Sequence, residues 1–119
     1  MEHVLERLSQ EAWVRGSMIV SEEGMVVMDN VSAEINRDAV SALASDLVTE
    51  ASAGLDEAGM EPFTRLVLTA TAGELVVVGC GQIYLVVIAA AGSEAFYIEI
   101  DSAARQLRRL APTATLRDM

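Results

Sequence analysis

Cys80 is the only thiol in the chain and His3 the only imidazole, so cysteine–histidine catalysis would have to bring these two together. His3 lies two residues from the N-terminus on a helical stretch, and an isolated cysteine usually behaves as a small buried hydrophobe. Clustered ligands at fixed spacing, which a metal needs, are missing; there are only adjacent acids, Asp56-Glu57 and Glu22-Glu23. Gly79-Cys80-Gly81 runs on into Gln82-Ile83-Tyr84, without the third glycine and the following helix of a phosphate-cradling loop. The chain has no lysine, so the G-x-x-x-x-G-K-[ST] loop of a nucleotide hydrolase cannot occur in it. The expectation is a protein with no catalytic residues, no metal and no cofactor.

Such a chain works by the surface its elements build. Its 119 residues fit one domain, residues 1–119, and 52% of them are hydrophobic although only 4% are aromatic. The core must therefore come from Val, Leu, Ile, Met and Ala, and that much apolar surface excludes a disordered chain. The net charge is −10, and residues 1–60 hold 12 acids against 3 arginines. An acidic surface repels phosphate backbones, so no nucleic-acid partner is expected. The longest apolar stretch, Ile83 to Ala91, is nine residues, too short for a spanning helix of roughly 20, so no membrane insertion is expected. A single cysteine and an acidic N-terminus without the basic-then-apolar order of a secretion signal place the protein in the cytoplasm.

Periodicity then assigns the elements. Val4, Leu5, Leu8 and Ala12 predict an amphipathic helix over about residues 2–13, ended by Gly16. Met18-Ile19-Val20 and Met25-Val26-Val27-Met28 flank Ser21-Glu22-Glu23-Gly24 as a hairpin. Val40, Leu43, Ala44, Leu47, Val48, Ala51 and Leu55 give a long helix over about 33–58, capped by Asn36 or Ser32 and closed by Gly59 and Pro62. Phe63–Thr71, Leu75–Val78 and Ile83–Ala89 form a meander. A last helix presents Phe96, Ile100, Ala103, Ala104, Leu107 and Leu110 on one face and stops at Pro112. Leu75-Val76-Val77-Val78 and Tyr84-Leu85-Val86-Val87-Ile88 are apolar on both sides, so helices must cover both faces of the sheet. The fold class is α+β: order α-β-β-α-β-β-β-α, one five-stranded antiparallel sheet with helices on both faces.

This order, with Val14-Arg15-Gly16-Ser17-Met18-Ile19-Val20-Ser21-Glu22-Glu23-Gly24 and the meander strands above, resembles the Roadblock (dynein light-chain) family, with its Roadblock/profilin-like fold, from about Leu5 to Leu110. Trp13 and Arg15 stand where apolar residues and a proline are commoner in that family. Its bacterial members include a gliding-motility GTPase regulator. The resemblance implies a homodimer in which the third strand pairs with its mate and the long second helices pack beside it. On this chain that interface maps to Ser41, Ala44, Ser45, Val48 and Ser52 on the helix, and Phe63, Arg65, Leu66, Val67 and Thr69 on the strand. The helix is rich in small residues there, and Arg65 is the only charge on the strand. The implied partner is a small Ras-like GTPase whose nucleotide cycle or localisation the dimer modulates, with Arg37 and Arg65 as candidates for an arginine supplied to it. The alternative is a structural adaptor that holds a signalling or motor complex together without affecting GTP turnover.

Overall fold

The computed structural model describes residues 1–91 and 97–118, with side chains as far as residue 110. The elements are α1 (Glu2–Ser9), β1 (Val14–Ser21), β2 (Val26–Val31), α2 (Arg37–Glu57), β3 (Arg65–Ala70), β4 (Gly73–Cys80), β5 (Ile83–Ala90) and α3 (Tyr97–Asp118). The strands form one sheet in the order β2-β1-β5-β4-β3, antiparallel throughout. The expected α+β architecture is therefore present, with β2 and β3 as its two borders.

Side-chain alternation along the central strands sends one set of residues to each face. Val76, Val78, Leu85 and Val87 join Val4, Leu5 and Leu8 of α1 and Ile100, Ala104 and Leu107 of α3 in one core. Met18, Val20, Leu75, Val77 and Val86 form the other core with Ala44 of α2. Strands that read as apolar runs are buried from both sides, as the missing alternation required.

Several boundaries differ from the sequence expectation. α1 stops at Ser9, because Trp13 is buried in the α1/α3 core and its carbonyl accepts a 2.9 Å hydrogen bond from the Ala90 N–H. The residues between form turns, with Glu11 N–H on Leu8 O and Val14 N–H on Glu11 O. Gly16 does not end a helix but lies inside β1, beside a register shift between Val14 and Gly16. A Cβ there would sit 2.8 Å from Val31 Cγ1, so β2 requires the missing side chain. Finally, α3 does not stop at Pro112: it continues to Asp118, with one main-chain hydrogen bond forgone at the proline. Phe96, expected on the apolar face of α3, and Gly92-Ser93 before it lie outside the described residues.

The ends of α2 are better anticipated. Of the two candidate caps, Asn36 takes the role: its side-chain oxygen accepts from Ala39 N–H at 3.1 Å. At the far end Gly59, with φ +71°, lets its own N–H reach Asp56 O and the Met60 N–H reach Leu55 O.

Candidate functional site: an open apolar groove between α2 and the β3 border

Only Ser41 and Ala44 of the 21 residues of α2 are fully buried. Both are small, which lets the helix approach the sheet closely at one place. The Ser41 hydroxyl donates to the carbonyl of Gly24 in the β1–β2 turn. Gly24 has φ +89°, and a Cβ on it would meet Ser45 Oγ at 2.9 Å. Arg37 at the start of α2 pairs with Asp29 of β2 at 2.7 Å. These three contacts tie α2 to the β1–β2 end of the sheet, and among the strands it packs most extensively against β2.

The opposite end of the same face is left open. In β3, Leu66, Leu68 and Ala70 lie opposite Val77, Leu75 and Gly73, which places them on the α2 side. Leu68 is 39% exposed and Leu43 of α2 is 43% exposed. Together with Ile35, Val40, Leu75 and Ile88 they line an open groove of about 270 Å³. Arg15 and Glu74 also contribute to its lining. Beside the groove runs β3, which pairs with β4 on one side and with no other strand of the described residues.

The ten residues assigned to an interface from the sequence fall into separate groups. Ser41 and Ala44 are taken up inside their own protomer, against the sheet. Ser45 and Val48 are half-buried beside Val20, Glu22 and Tyr84 along a small crevice. Ser52 is exposed; Phe63, expected on the strand, precedes β3, which starts at Arg65, and is half-buried; Leu66 is half-buried on the α2 face. Arg65, Val67 and Thr69 sit opposite Val78, Val76 and Glu74, and so face the α1/α3 layer. The groove itself is built by Val40, Leu43 and Leu68, which the interface assignment does not include. Val40, Leu43 and Leu47 recur at helical spacing, and Leu68 follows Leu66 by two. That signal is present in the sequence, but such spacing marks a core and an open groove alike.

The remaining chemical candidates are separated or already partnered. His3 is 87% exposed and lies 3.9 Å from Glu6, one turn along α1. Cys80 is buried in the α1/α3 core. Burial pushes its thiol pKa up, and Arg108 and the Leu85 backbone offset this only in part. A protonated, enclosed thiol with no imidazole beside it is not an activated nucleophile. Arg65 pairs with Asp101 at 3.2 Å and stacks on the Tyr97 ring, 4.0 Å from its centroid. Both arginines considered for supply to a partner are therefore held by carboxylates of their own chain. Among the described residues no group of three or more His, Cys, Asp or Glu side chains could hold a metal ion, and no helix is long and apolar enough to cross a membrane.

Comparison with known proteins agrees with this fold. The family model described as the Roadblock/LC7 domain matches residues 1–89. Myxococcus xanthus MglB superposes with a TM-score of 0.85 at 17% identity, covering 93% of this chain and 94% of that one. The gliding protein MglB from Thermus thermophilus gives 0.83 at 18% identity, over 94% and 88% of the two chains. A Roadblock/LC7 domain from Streptomyces avermitilis gives 0.81 at 20% identity, over 93% and 97%. At such identities the likeness is one of fold. The curated proteins contain no match.

Proposed function

The chain belongs to the Roadblock/LC7 family, and from that premise we propose that it is a non-catalytic, dimeric binding protein for a small Ras-like GTPase. The observation that carries this reading is the open apolar groove between α2 and β3, next to an unpaired strand border. An exposed strand border is a template for pairing with another chain, and soluble proteins ordinarily protect one. Two copies related by a two-fold axis would pair β3 with β3 and place Leu43, Leu68 and Val40 of each against the other's α2. The outer surface of that dimer would carry the GTPase and modulate its nucleotide cycle or its localisation. We place the protein, as one domain over residues 1–119, in the cytoplasm, where its single buried thiol stays reduced.

One observation favours the second reading, a structural adaptor without effect on GTP turnover. Arg37 and Arg65 are engaged in ion pairs within the chain, so neither is poised to enter a partner's active site. The test uses the Ras-like GTPase encoded in the same genome, loaded with GDP or with a non-hydrolysable GTP analogue. Co-elution in at least one nucleotide state, with a changed rate of GTP hydrolysis or nucleotide release, is the expected result. Co-elution with unchanged rates selects the adaptor, and no co-elution in either state removes the GTPase partner.

A further inference from the structure

On the other face of the sheet, away from the groove, lies a cleft in which arginines gather. It has a volume of about 350 Å³ and is lined by Thr64, Arg65, Val78, Asp101, Arg105 and Arg108. Three guanidinium groups face one carboxylate in a chain whose net charge is −10. We infer that this cleft is a docking site for an acidic, extended segment of a protein partner.

The geometry of the row supports a peptide over a compact anion. Asp101, Arg105 and Arg108 follow one another at i, i+4 and i+7 on α3, so the row from the Arg65–Asp101 pair to Arg108 spans about 10 Å of helix. A single phosphate reaches one end of such a row. Same-face side chains of an extended segment recur about every 7 Å, so two carboxylates one residue apart can engage both ends.

The arginines are also prepared to different degrees. Arg108 donates from Nε and Nη2 to the Gly79 carbonyl, at 3.2 and 3.0 Å, which fixes its guanidinium at the end of β4. Arg65 is held against Asp101 and Tyr97. Arg105 is exposed and makes no ion pair or hydrogen bond among the described residues. Two prepositioned cations and one uncommitted cation form a receptor that loses little freedom on binding. Those acidic residues of the first half that lie more than about 10 Å from the cleft are largely screened from it near physiological salt. The inference is independent of what occupies the α2 groove.

The probe is a fluorescein-labelled peptide alternating Glu and Thr, titrated with the full chain and followed by anisotropy, with a Gln-for-Glu peptide as control. The acidic peptide is expected to bind, and more weakly as salt rises. Arg105→Glu is expected to reduce its affinity about tenfold, whereas Arg109→Glu, the same charge change outside the cleft, changes it less than about twofold. Circular dichroism checks that both variants fold, and Arg105→Gln removes the charge without reversing it. Equal losses in Arg105→Glu and Arg109→Glu would mean diffuse charge attraction and overturn the site. Failure of the acidic peptide to bind better than the Gln peptide also overturns it. Displacement by inorganic phosphate, but not by chloride of equal ionic strength, would reassign the cleft to phosphate and end the peptide reading.

Discussion

The two faces of the sheet carry the same kind of side chain but are finished differently. On the α1/α3 face, fifteen residues from both helices and the strands form one buried cluster. On the α2 face the corresponding hydrophobic cluster has six buried residues among those described, although α2 is more than twice the length of α1. The cause is where α2 is fastened. Ser41 and Arg37 hold it to the β1–β2 hairpin, with Ser45 packed close to Gly24, and Leu43 and Leu68 at the β3 side stay partly exposed. A face finished by its own chain contributes to stability, whereas a face left unfinished next to an open border is suited to another chain.

That comparison can be broken most forcefully at the closed face. Leu85 is fully buried against α1 and α3, and Leu85→Ala should cost about 2–5 kcal/mol by urea unfolding. Leu68→Lys, on the open face, should instead leave the protomer folded while light scattering shows the mass falling from about two chains towards one of 12.7 kDa. If Leu68→Lys unfolded the chain as Leu85→Ala does, the two faces would not differ as described. Ala44→Arg is unsuited to the same purpose, since Ala44 is buried within the protomer and the substitution would disrupt folding first.

The fastening of α2 can be loosened in graded steps. Gly24→Ala meets both a positive φ and the Ser45 hydroxyl, and should cost about 1–2 kcal/mol in the same assay. Ser41→Ala removes one hydrogen bond to Gly24 and should cost about 1 kcal/mol. The smallest effect belongs to Arg37→Ala, whose pair with Asp29 is more than half exposed on the arginine side and should contribute less than about 1 kcal/mol. Alkaline pH probes the closed face in another way. The folded Cys80 thiol titrates above its ordinary 9.0 because it is buried, so the unfolded chain loses that proton first. The thiol's contribution to stability should be complete well below pH 9.0 and be lost progressively as pH rises through that value, so alkaline urea unfolding should show a shallower decline in Cys80→Ala.

How far the sequence discloses this molecule depends on the range of the interactions. Strands that are apolar on both sides, such as Leu75–Val78, announce a sheet with two covered faces without any knowledge of topology. Asn36 and Gly59 mark the ends of α2 because capping is local chemistry between neighbours. Gly16 misleads because its reason is Val31, fifteen residues away across a strand pair. Trp13 likewise ends α1 through a contact with Ala90 that no local pattern contains. The small residues of α2 pose a harder ambiguity. Ser41 and Ala44 suit close approach to another helix or to a sheet, and only the position of Gly24 shows that the sheet takes them. The groove is legible as apolar spacing at Val40, Leu43 and Leu68, but not as a surface, because exposure depends on where the helix is fastened.

The two borders of the sheet supply the most direct test, because β2 and β3 are equally edge strands in a single protomer. Amide hydrogen exchange, resolved by residue at concentrations spanning the proposed dimer transition, compares them within one sample. At high concentration the outward amides of Arg65–Ala70 are predicted to become strongly protected, while those of Val26–Val31 stay fast, and dilution should abolish the difference. Outward β3 amides that exchange as fast as those of β2 at every concentration would contradict the account.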